Sequence, residues 1–234
     1  MKQQLIQELK KTSFYGKLLF KEKTVCAYFG GSQLIGFKDE KSDFDIVCLV
    51  DGQPRKNEYN EYLMWNAKKV HFIYFDINDL FNSNLSGLRL VTLNQFQALK
   101  ENNTIFYLKE GFKEKIKYLL DRSDELLKIG FHKMILDFYH LIDEISRNGM
   151  KERNKTKFLY HIVYAKRKYL NQSIVENYLA KLKRIRWQEI EDIYIKECIE
   201  DMKELKDYLS NNKFDVTSAC KVLLNDWCNK FCIK

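Results

Sequence analysis

One stretch constrains this chain more than any other: Tyr28-Phe29-Gly30-Gly31-Ser32, then ten residues, then Asp43-Phe44-Asp45-Ile46-Val47. Val25 to Phe29 is an apolar run that ends in a Gly-Gly-Ser turn, and Phe44 to Val50 is a second apolar run opened by two carboxylates. Side chains alternate faces along a strand, so Asp43 and Asp45 point the same way, while Phe44, Ile46, Cys48 and Val50 supply a buried side. Two like charges held a few ångströms apart repel unless a cation sits between them, and oxygen-only ligands suit a hard ion such as Mg²⁺. Gly30 and Gly31 let the backbone approach a bound group, and the Ser32 hydroxyl and nearby amides can hydrogen-bond phosphate oxygens. A phosphate cradle beside a metal-binding carboxylate pair is suited to moving a phosphoryl or nucleotidyl group.

Gly31-Ser32, the ten-residue spacer and Asp43-Phe44-Asp45-Ile46, with Gly36 and Ser42 between them, resemble the signature of the DNA polymerase beta-like nucleotidyltransferase superfamily. The resemblance is strongest over residues 25–50. It implies a small mixed sheet backed by helices, followed here by a helical half. It also implies transfer of a nucleoside monophosphate from a nucleoside triphosphate to a hydroxyl, with Mg²⁺ or Mn²⁺ as cofactor. Asp43 and Asp45 would hold the metal, and Gly31, Ser32 and Ser42 would bind the nucleotide. The family supplies a third acid from the strand beside the Asp-x-Asp strand. In this chain the matching position, between Val70 and Phe72, is His71, and the next carboxylate is Asp76. Asp76 is the expected third catalytic acid, His71 is its substitute, and a site completed by neither is the third reading. His71 and Asp76 have opposite parity, so one regular strand cannot aim both at the same ion. Lys157 and His161, one helical turn apart, are similar to a Lys and a His on a helix of bacterial and phage members, and extend the expected nucleotide site.

A chain of 234 residues is long enough to bury a proper core. No run approaches the length of a membrane span and the N-terminus has no signal-peptide core, which leads us to expect a cytoplasmic protein without a membrane partner. The six cysteines form no Cys-x-x-Cys and have no neighbouring histidine, so they read as reduced, buried hydrophobes. The net charge of +8 is concentrated: residues 151–186 hold eleven Lys or Arg against two Glu. A basic segment suits an RNA acceptor or a triphosphate, and equally a solvated helix surface. RNA or a protein is the expected acceptor, with a small molecule as a further option. The alternative function is a nucleotide- or RNA-binding module that keeps the fold without full catalysis. No Gly-x-x-x-x-Gly-Lys-Ser/Thr loop, Gly-x-Gly-x-x-Gly, Gly-x-Ser-x-Gly or His-Glu-x-x-His is present.

Periodicity divides the chain into an α/β half, residues 1–112, and a helical half, residues 113–234. The first half reads as a helix over 2–12, strands at Thr24–Phe29, Asp43–Val50 and Lys69–Ile77, and a helical turn at Ser32–Phe37. A helix is expected over Glu58–Ala67, helical structure from Asp79, a short helix at Gln95–Leu99 and a strand at Thr104–Lys109. Helices then follow at Phe112–Lys128, Phe131–Arg147, Asn154–Leu170, Ile174–Arg186, Trp187–Leu209 and Val216–Phe231. Gly130 and Asn148-Gly149 read as helix stops.

Overall fold

The computed structural model describes residues 2–11, 23–30, 43–55, 58–62, 69–94, 105–148 and 214–232, with six further positions between 200 and 211. The expected turn at Ser32–Phe37 and the helices at Gln95–Leu99, Asn154–Leu170 and Ile174–Arg186 lie outside the described residues. So does most of Trp187–Leu209, whose few described positions are helical.

The described elements are helix α1 (Lys2–Lys11), strands β1 (Thr24–Gly30), β2 (Phe44–Val50), β3 (Glu58–Tyr62) and β4 (Lys69–Asp76), and a 3-10 turn (Ile77–Phe81). Helix α2 (Gly87–Leu93), strand β5 (Ile105–Leu108) and helices α3 (Lys113–Asp121), α4 (Ser123–Asn148) and α5 (Val216–Phe231) complete them. The strands form one mixed five-stranded sheet in the order β3-β4-β2-β1-β5, which gives the molecule α+β character. Only β2 and β4 are parallel, and every other neighbouring pair is antiparallel.

β1, β2 and β4 are rich in β-branched, aromatic and cysteine residues, which pack well on a pleated surface. They lie inside the sheet and are buried on both faces, as strands covered from two sides must be. One face carries Leu9 of α1 against Ala27, Phe29, Ile46, Cys48, Phe72 and Tyr74. The other carries Tyr28, Val47, Leu49, Ile73 and Phe75 beneath a helical layer contributed by Leu93, Ile116, Leu119, Leu126, Ile129, Leu223 and Trp227. Phe44, Ile46, Cys48 and Val50 are therefore buried as expected, and Val47 and Leu49 are buried as well. A bulge in β1 at Val25, between Thr24 opposite Val50 and Cys26 opposite Leu49, resets the alternation that keeps the two clusters separate.

Two expectations are corrected. Glu58–Tyr62 is not the start of a helix but the edge strand β3, paired antiparallel with β4. Its two tyrosines suit a strand as well as a helix, and the open edge of β4 decides between them. Gly130 does not stop a helix either. It lies inside α4, where a Cβ would stand 3.1 Å from the Val91 amide nitrogen of α2. The break falls earlier, at Arg122, whose backbone N–H closes the end of α3. At Gly87 the same crossing is tighter still: a Cβ there would collide with the Met134 backbone of α4. The Gly87 amide donates to Asp137 of α4 at 2.6 Å, and Lys133 pairs with the same carboxylate at 2.8 Å. Glycine at this point lets α2 lie against α4 and satisfies an amide at the helix start that would otherwise lack a partner.

Candidate functional site

The site is set by register. In the parallel β2–β4 ladder Asp45 lies opposite His71, and in the antiparallel β1–β2 ladder it lies opposite Gly30. Asp45 thus has the last residue of β1 on one side, where the chain enters the Gly-Gly-Ser segment, and an imidazole on the other. His71 Nδ1 stands 3.1 Å from Asp45 Oδ1, at hydrogen-bonding distance with the carboxylate accepting.

Asp45 and His71 share the sheet face of Val47, Leu49, Ile73 and Phe75, yet their surroundings differ. Val47 is fully buried and Ile73 is 6% exposed, whereas the side chains of Asp45 and His71 are 24% and 23% exposed. Among the described residues, the helical layer packs on Val47 and Ile73, while Asp45 and His71, where β2 begins, form a half-open polar rim. Asp43 lies immediately before β2 and is partly exposed.

Asp76 is not part of this rim. It ends β4 opposite Val50, five residues beyond His71, or about 16 Å along the strand at about 3.3 Å per residue. Its carboxylate accepts from the Asn78 amide at 2.9 Å and from Asn78 Nδ2 at 3.0 Å, capping the 3-10 turn. The cap was signalled by Asp76-Ile77-Asn78 itself, an acid two residues ahead of the amide it receives. Burial pushes the nearby Asp79 above the usual carboxylate range, and the negative charge of Asp76 adds to the shift. Gly31, Ser32, Ser42, Lys157 and His161 lie outside the described residues, as does the basic segment 151–186.

The chain matches none of the models of known protein families, and no curated protein matches it. The reading of the site therefore rests on its own residues.

Among the described residues, no three His, Cys, Asp or Glu side chains are grouped closely enough to form a ready metal cage. What the rim offers is one carboxylate oxygen and one imidazole nitrogen, partly open to water. A carboxylate suits Mg²⁺ and an imidazole does not, so of this pair Asp45 is the residue that could hold such an ion beside a triphosphate. Among the described residues no helix is long and apolar enough to cross a membrane. The described cysteines are free thiols; Cys26, Cys48 and Cys220 are buried, and burial pushes the Cys26 thiol up to about 12. Cys232, at the end of α5, is exposed, unlike the buried setting expected for it.

Proposed function

We propose that this chain is a nucleotidyltransferase with the nucleotidyltransferase fold, joining a nucleoside monophosphate from a nucleoside triphosphate to a hydroxyl of an RNA or protein acceptor. The observation that carries the reading is the position of Asp45 between the end of β1 and His71 at the half-open rim. An acid placed there lies opposite Gly30, the residue that precedes Gly31-Ser32 in the sequence.

In this reading the acceptor oxygen bonds to the α-phosphorus, the bond from that phosphorus to the β-bridging oxygen breaks, and pyrophosphate leaves as the hydroxyl proton passes to solvent. Asp43 and Asp45 would hold the dication, which would supply charge neutralisation at the phosphates. Asp45 contributes an oxygen whose direction is fixed by its contact with His71. Gly31, Ser32 and Ser42 contribute amides and hydroxyls to the β- and γ-phosphates. His71 occupies the register position of the third acid, and Asp76 serves the fold as a cap. Lys157 and His161, with the surplus of positive charge over residues 151–186, favour a polyanionic acceptor.

One observation favours a second reading. A histidine where a third carboxylate would stand removes a negative charge from the site, which suits a module that binds a nucleotide or RNA without transferring it. Incubation with α-labelled ATP, CTP, GTP or UTP and a divalent ion, with and without bulk RNA, separates the two. Label incorporation with pyrophosphate release supports the transferase. Nucleotide binding without pyrophosphate under every acceptor tried supports the binding module.

A further inference from the structure

We propose that the seam between α3 and α5 is a binding surface for single-stranded RNA, separate from the rim; the choice of RNA among polyanions rests on the nucleotidyltransferase reading and narrows its acceptor. The seam lies at the far end of the sheet. The Lys109 amide, on the approach to α3, donates to the Val25 carbonyl at 2.9 Å. Val25 is five residues from Gly30, the partner of Asp45, which is about 16 Å along β1 at about 3.3 Å per residue. Phe112, Lys115, Tyr118 and Arg122, spaced by three and four residues, run along one side of α3. Trp227 and Phe231 of α5 meet them there, with ring centroids 5.9 and 5.7 Å from that of Tyr118.

Cations and rings interleave along this seam. Lys115 Nζ stands 5.1, 5.8 and 5.7 Å from the ring centroids of Phe112, Trp227 and Phe231. Lys230 Nζ lies 4.8 Å from that of Tyr118, and Lys109 Nζ 5.8 Å from that of Phe112. Among the described residues, none of these three ammonium groups has a carboxylate partner. The two carboxylates beside them, Asp226 and Glu125, are both taken by Arg122, at 3.5 and 3.3 Å. Lys109 and Lys230 are exposed and Phe112, Tyr118 and Phe231 are half-buried, so part of each ring is open to solvent. Three cations without protein anions favour a phosphate backbone, which neutralises them and releases counterions. An acidic peptide would use the lysines and leave the rings idle, and a duplex keeps its base faces stacked inside. An unpaired strand uses both: its bases stack on the rings while the ammonium groups pass from the ring faces to the adjoining phosphates.

The test uses the full chain without metal or triphosphate. Fluorescence anisotropy follows a labelled oligouridylate, with an RNA duplex and oligoglutamate of the same length as rival probes, and the single strand should bind tightest. Lys115→Gln with Lys230→Gln should weaken it by about tenfold or more, and lower the slope of log affinity on log salt by about 1.4, at about 0.7 for each lost phosphate contact. Lys221→Gln, nine residues from Lys230 and so on the opposite side of α5, should change affinity by less than about twofold. Ultraviolet crosslinking of the wild-type complex should mark peptides that carry Phe112, Tyr118 or Phe231; it needs no variant, so it stands even if the lysine pair fails to fold when changed. Crosslinks confined to other peptides, equal losses at Lys221 and at the lysine pair, or oligoglutamate or duplex bound as tightly as the single strand each overturn the proposal. Asp45→Asn should bind the oligouridylate as the wild type does, so transfer lost with binding intact concerns the rim alone. A chain that transfers a nucleotide yet binds no RNA overturns this surface and leaves the transferase reading in place.

Discussion

Asp45 and Asp76 are both acids at strand ends, and the structure places them in different surroundings. Asp45 stands at a rim with its oxygen beside an imidazole, and Asp76 spends its oxygen on the Asn78 amide. Asp45→Asn is therefore expected to lower turnover by about a thousandfold with an unchanged unfolding midpoint, since it removes charge from a site rather than a contact from the core. Asp76→Ala should do the reverse, lowering stability by about 1 kcal/mol in a urea titration while turnover stays within about twofold. Parity in the sequence already showed that His71 and Asp76 could not both face the ion. Which one lies beside Asp45 depended on the β2–β4 register, a long-range fact that local pattern does not carry.

A third residue links pH to stability. His132 is buried in α4 with its ring centroid 4.2 Å from that of Phe214, and its Nδ1–H donates to the Lys128 carbonyl at 2.8 Å. Burial lowers its pKa from 6.5 to about 4. The unfolded chain therefore takes up the proton first, and stability should fall as pH drops from about 6.5 toward 4, by on the order of 3 kcal/mol. Denaturant melts across that window should show the slope in the wild type and a flatter profile in His132→Gln.

At the level of elements, β1, β2, β4 and α5 lie within a residue or two of their predicted bounds, because apolar composition and caps mark them locally. Asp215, for example, caps α5 through the Thr217 and Ser218 amides. β3 and the interior of α4 were misread for one physical reason, that the deciding partner is distant in sequence. The edge of β4 makes Glu58–Tyr62 a strand, and the approach of α2 makes Gly130 a packing residue rather than a stop. Gly87 marks the tightest point of that approach. Gly87→Ala should force α2 off α4 and cost about 3 kcal/mol of unfolding free energy, read as a lowered midpoint in urea.

Across the whole molecule, one buried cluster joins strands from the first half of the chain to α3, α4 and α5 from the second. Trp227 of α5 anchors it, fully buried and packed on Phe81, Tyr118 and Phe231 with ring centroids 5.7, 5.9 and 4.6 Å away. Trp227→Ala should destabilise the fold by about 4 kcal/mol, measured by chemical denaturation. The same layer borders the site, since it packs on Val47 and Ile73 while Asp45 and His71 stay half-open. The change from mixed to helical periodicity near residue 112 was legible in the sequence. The sharing of one core across that point was not, because amphipathic faces do not name their partners.

A crystal structure of the full chain with a non-hydrolysable nucleoside triphosphate and a divalent ion would test the central claim most directly. The account predicts the ion bound to Asp45 at the start of β2 and the triphosphate against Gly31-Ser32. A nucleotide bound elsewhere, with no ion at Asp45, would contradict it.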